Sequence, residues 1–256
     1  MRNLLVRGML AGLIAGALAT VFAYFFGEPS LNAAIGIEEA TGGAHSHANA
    51  GAPRQHGAES TEDELVTRGV QSTIGLFAGV GGYAVAVGGL FALAFAFLHG
   101  RVGSLRPRLT SALLSGCAYA VVVLVPFLKY PANPPAVGRG ATIGSRTALY
   151  FGFLALSVVF AIAAVYAGRR IADRLGPWAG GLLGAGGYVV VMAVCAASMP
   201  VLDELPAGFP GSTLWTFRIA SLGTQLVLWT ALGLVFGTLA ERLLTGRTTE
   251  SAVIGS

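Results

Sequence analysis

The sequence predicts an all-α, polytopic integral membrane bundle of six transmembrane helices with both termini in the cytoplasm. Three observations predict it. Only 11% of the residues are charged while 54% are hydrophobic, against about 25% charged in a soluble domain, so the chain lacks the charge to keep a globular surface wet. The charges avoid six windows, 8–27, 69–98, 109–128, 147–168, 175–202 and 219–240, and each can supply the roughly 20 apolar residues that cross a bilayer core. The basic residues also divide unevenly between alternate connections, ten on the side of the N-terminus and six on the other, which by the positive-inside rule makes the N-terminal side cytoplasmic. Residues 1–256 are accordingly expected to form a single membrane domain.

The first window follows Arg2 and Arg7. It is longer than the usual signal-peptide core of about 7–15 residues, so it is expected to be a span. Gly8, Gly12 and Gly16 recur every four residues along it and form a flat ridge on which another helix can pack closely. Gly75 with Gly79, Gly180 with Gly184, and Gly233 with Gly237 repeat the device. The second, fourth and sixth windows each begin just after an arginine, Arg68, Arg146 and Arg218, and these are expected to snorkel at the helix ends.

Between the first two windows lies an extracytoplasmic connection, 28–68, that is acidic and carries three of the four histidines, His45, His47 and His56. With Glu38 and Glu39 these are imidazole and carboxylate ligands of the kind that cobalt, nickel and zinc accept. Residues 41–57 are small and polar with few large apolar groups, so the connection is expected to be partly disordered, and flexibility makes any metal site in it weak. The alternative is a solvated loop whose histidines bind nothing.

The next outer connection is the most unusual stretch, Pro126-Phe127-Leu128-Lys129-Tyr130-Pro131-Ala132-Asn133-Pro134-Pro135-Ala136-Val137-Gly138. Pro126 removes a helical hydrogen bond, and Pro131, Pro134 and Pro135 hold the chain extended. Non-helical backbone at membrane depth persists only when buried in protein or lining a wet cavity. Two readings stay open at this point. In one the segment dips inward, and its carbonyls, Tyr130 and Asn133 form a neck for a cation, with Lys129 and Arg146 charge-balanced by Glu28, Glu38 or Glu39. In the other it is a rigid surface loop with Lys129 snorkelling outward.

Few groups inside the windows titrate. Gln71, Gln225, Tyr119 and Tyr188 are the polar candidates there, and Gln71 is assigned with Glu28 to the expected pathway. Met192, Cys195 and Met199 share one helical face and are expected to pack. Cys117 and Cys195 both lie in apolar windows, so no disulfide framework or cysteine zinc motif forms outside the membrane. No nucleotide-binding loop, His-Glu-x-x-His or Gly-x-Ser-x-Gly motif occurs. The chain is expected not to be an enzyme, to have no tightly bound cofactor and not to bind nucleic acid.

The run from Pro126 to Gly138, followed by Thr142-Ile143-Gly144 and Arg146-Thr147, closely resembles the signature of the CbtA family of predicted cobalt transporter subunits. Arg7-Gly8, Gly27-Glu28-Pro29, Glu38-Glu39-Ala40, a variable histidine-bearing loop and the stretch 66–71 follow the same family order over essentially the whole chain. The resemblance implies uptake of Co2+ or a related divalent metal through a multi-pass protein of the bacterial cytoplasmic membrane. It also implies a link to cobalamin synthesis and a small single-helix, histidine-bearing partner of the CbtB type. Further copies of this chain are a second open partner. The loop carries fewer histidines than relatives often show. A reading of a different class is a non-transporting membrane scaffold or metallochaperone partner that hands metal to another channel.

Overall fold

The computed structural model describes residues 1–48, 76–101, 105–138, 142–202 and 204–254, with backbone only over 41–48, 76–77 and 246–254. Every regular element among the described residues is helical. Six helices are long and apolar enough to cross a membrane: Arg2–Phe26, Ala78–Leu98, Pro107–Lys129, Ile143–Leu175, Pro177–Ser198 and Gly211–Thr245. The protein is a multi-pass membrane protein. Its chain divides into two compact units, one of residues 1–116, 134–136 and 212–256, the other of residues 117–133 and 137–211.

In the first unit α1 (Arg2–Phe26) passes through Gly27, which stays in the right-handed helical region, into α2 (Glu28–Ala48). Glu28 and Pro29 open α2 as residue types suited to a first helical turn, one favoured by the helix dipole and the other by its fixed φ. Ser30 Oγ donates to the Gly27 carbonyl at 2.9 Å. Residues 28–48, the start of the acidic connection, are thus helix. Of the segment 41–57 expected to be disordered, the backbone is helical to Ala48, and residues 49–57 lie outside the described residues.

Against α1 packs α3 (Leu76–Leu98). Their backbones touch: a Cβ on Gly16 would stand 2.7 Å from the Ala84 Cβ, and one on Gly88 would stand 2.9 Å from the Gly12 Cα. This is close packing of small residues, which lets dispersion between backbones replace the absent hydrophobic drive in lipid. The partner on α3 is the Ala84–Gly88 face. Gly79, expected to pack with Gly75, has open space where a Cβ would go, and Gly75 lies outside the described residues.

The third span begins with α4 (Pro107–Ala118), whose first residue is a proline that needs no N–H partner. The last span is α8 (Gly211–Ile254). Gly233 and Gly237 of α8 lie against Ser115 and Ser111 of α4, and Ser111 Oγ donates to the Gly233 carbonyl at 2.7 Å. Arg108 pairs with Glu241, and the Arg7 guanidinium donates to the Leu239 carbonyl near the same end of α8. Phe91, Phe95 and Phe236 form an edge-to-face cluster with centroids 5.0 and 5.4 Å apart around Phe236. Leu10, Leu13 and Ile14 of α1 remain exposed, as lipid-facing residues of a spanning helix should be.

The second unit receives the third span as a π-helical turn, Tyr119–Leu124, which runs into α5 (Val125–Lys129). It continues with α6 (Ile143–Leu175) and α7 (Pro177–Ser198), separated by Gly176 at φ 89°. α6 and α7 pack as α1 and α3 do. A Cβ on Gly180 would stand 2.6 Å from the Ala172 Cβ, and one on Gly184 would stand 3.0 Å from the Ala164 carbonyl oxygen. Val159, Ile162, Val189 and Val190 are exposed on the outer faces.

Candidate functional site: the proline-rich connection

The proline-rich connection belongs mostly to the second unit, and its local conformation follows from its residues. Lys129 closes α5, and Tyr130 takes φ −127° and ψ 78°, which ends the helix one residue before Pro131. From Tyr130 to Gly138 the backbone is non-helical. Pro134 and Val137 are buried, so the segment packs on protein. Ala136 has φ 66°, a left-handed conformation uncommon for a residue with a Cβ.

Two side chains tie the start of the segment to the end of α7. Lys129 Nζ donates to the Met199 carbonyl at 2.8 Å, and the Tyr130 hydroxyl donates to the Pro200 carbonyl at 3.0 Å. These acceptors lie at a helix C-terminus, where carbonyls have no intrahelical donor and the dipole favours a cation. The Lys129 ammonium also stands 5.6 Å from the centroid of the Tyr130 ring. Burial raises the Tyr130 phenol above its ordinary value, which keeps it a donor. The ring meets Phe153 of α6 edge-on at 6.0 Å.

A third tie closes the far end. Arg146, in the first turn of α6, lies 3.1 Å from a Glu204 carboxylate oxygen. The Glu204 side chain is only 8% exposed and that of Arg146 is 29% exposed. Gly138 covers this pair with φ 126°; a Cβ there would strike the Arg146 guanidinium and stand 3.4 Å from Glu204 Oε2. Only glycine meets both demands, the left-handed backbone and the close approach.

Lys129 and Arg146 therefore have partners inside their own unit, namely the α7 carbonyl end and Glu204, where the sequence suggested Glu28, Glu38 or Glu39. Arg146 is held in an ion pair with Glu204. Glu204 is not among the residues that the sequence singles out. A retrievable signal existed, a carboxylate in a short connection between Pro200 and Pro206, where the chain cannot form helix.

The remaining candidates fall elsewhere. Tyr130, Pro131 and Asn133 belong to the second unit with Lys129 and Arg146, whereas Pro134 and Pro135 are grouped with the first. Glu28 is partly buried at the start of α2, and Glu38 and Glu39 are exposed on that helix. The backbone at His45 and His47 is helical, while His56 and Gln71 lie outside the described residues. Among the described residues no three His, Cys, Asp or Glu side chains are grouped as a metal cage. Met192 is buried, in keeping with packing. The arrangement is a packed non-helical segment whose two flanking cations are both partnered, Lys129 by a carbonyl and Arg146 by a carboxylate.

No curated protein and no solved structure matches the chain. A family model described as "Probable cobalt transporter subunit (CbtA)" matches residues 1–241. Since that span is nearly the whole sequence and includes the proline-rich connection, the chain belongs to the CbtA family of cobalt transporter subunits.

Proposed function

We propose that this chain carries Co2+, or a related divalent metal, inward across the cell membrane in support of cobalamin synthesis, together with a small histidine-bearing helix of the CbtB type. Both termini are cytoplasmic in this proposal. Glu38, Glu39, His45, His47 and His56 collect metal on the outer side, and Lys129–Gly138 with Arg146 forms the mouth. One observation supports this most: the most distinctive segment of the sequence is non-helical, packed, and tied at both ends by Lys129, Tyr130 and the Arg146–Glu204 pair. Rings of backbone carbonyls are one of the ways in which channels coordinate an entering cation, and in this proposal the connection supplies them.

A second function of a different class is a non-transporting scaffold that passes metal to another channel. Metal entry into proteoliposomes containing this chain alone, or this chain with the small helix, separates the two. Entry above protein-free vesicles supports transport. A folded chain that binds metal in both preparations and admits none supports the scaffold.

A further inference from the structure

At the π-helical turn the backbone leaves one carbonyl without a donor. In an α-helix the Val121 carbonyl would accept from the Val125 N–H, but that N–H goes to the Ala120 carbonyl. In the π register the Val121 partner would be the nitrogen of residue 126, and residue 126 is a proline with no hydrogen. Inside a bilayer no water replaces the lost donor. Ser157 of α6 does so: its Oγ lies 2.6 Å from the Val121 oxygen, and the side chain is fully buried.

The same Oγ lies 2.7 Å from the Tyr188 hydroxyl of α7. A carbonyl can only accept, so the serine proton points to Val121 and the Tyr188 O–H donates to Ser157. One serine thus joins the three helical stretches whose ends carry the mouth. Val121 precedes Lys129 by eight residues, Ser157 follows Arg146 by eleven, and Tyr188 precedes Met199 by eleven. At 1.5 Å per residue the node lies about 12–17 Å along the helices from all three, near the middle of the bilayer core.

We infer that Ser157 is a positioning residue for the proline-rich connection: by supplying the donor that Pro126 cannot, it fixes the π register and so the rotation at which α5 delivers Lys129 and Tyr130 to the end of α7. The extra residue of a π turn rotates everything beyond it by about 100°, so losing the register turns Lys129 and Tyr130 away from Met199 and Pro200. The positioning stands on the geometry alone. Its consequence for metal entry rests on the function proposed above.

The test uses the full chain in nanodiscs, with Cys117 and Cys195 replaced by alanine and the buried Val137 replaced by cysteine as a reporter. A water-soluble maleimide reaches both membrane faces there, so the readout depends neither on orientation nor on transport. Ser157→Ala should speed labelling about fivefold or more, as expected when a buried acceptor loses its donor. Ser157→Thr, which keeps the hydroxyl, should label at the parental rate. A parental rate in Ser157→Ala, or equally fast labelling in Ser157→Thr, overturns the inference. If Ser157→Ala fails to fold, a folded Ser157→Thr that labels at the parental rate supports the inference, and fast labelling or failure to fold in that variant as well overturns it. Should the parent admit no metal, the proposed function fails while these labelling outcomes still decide the role of Ser157.

Discussion

Arg146 and Glu204 meet at 3.1 Å beneath the backbone of Gly138, and the carboxylate is almost wholly buried. A buried charge without its partner is costly, whereas the intact pair is close to neutral in stability. Glu204→Gln should therefore destabilise the chain by about 1–3 kcal/mol, the lower part of the buried range because Arg146 retains some solvent contact. Thermal unfolding in detergent checks this. In a double-mutant cycle, adding Arg146→Gln should cost less than it does in the parent, and additive losses would show that the pair is not coupled.

Gly138 and Gly152 give an internal contrast. Gly138 has φ 126° and no room for a Cβ, whereas a Cβ on Gly152, inside α6, would meet open space. Gly138→Ala should lower stability by about 1–3 kcal/mol through backbone strain. Gly152→Ala should leave it unchanged or raise it by up to about 1 kcal/mol through helix propensity. Unfolding midpoints of the two variants, measured side by side, decide the matter; equal losses would show that the Gly138 geometry is irrelevant.

Much of this fold is legible in sequence because membrane burial acts on composition. Six stretches free of charge become six helices, and glycines spaced by four become contacts wherever a second small-residue face exists, as at Gly12 and Gly88. Gly79 shows the limit, since spacing alone does not say which face meets a neighbour. Helix α2 was illegible because its polar residues resemble a loop in any window average. The prolines announced the non-helical segment. They gave no sign of the π turn before Pro126, whose stability depends on Ser157 some thirty-six residues away. Glu204 escapes for the same reason, as its significance lies in a partner at the start of α6.

The histidines of the first connection should matter only when metal is scarce. Replacing His45, His47 and His56 by alanine removes borderline ligands from the proposed collecting segment. The half-saturation concentration for uptake should rise several-fold, roughly in line with one or two lost weak ligands, while the maximal rate stays. An unchanged half-saturation would count against collection by this segment.

The proposed orientation rests on charge, ten basic residues against six. A cysteine introduced at Ala48, in a chain lacking Cys117 and Cys195, should react with an impermeant thiol reagent added to intact cells. Labelling only after lysis would reverse the proposed topology.

The central claim, that the proline-rich connection admits the metal, meets its most direct test in the initial rate of Co2+ entry into proteoliposomes, compared between parent and Asn133→Ala at equal amounts of folded protein. Asn133 lies within the connection between Pro131 and Pro134. Loss of its side-chain amide should slow entry by about tenfold, the effect of one polar contact to a charged species worth about 1.4 kcal/mol. Entry at the parental rate in the folded variant would contradict the account.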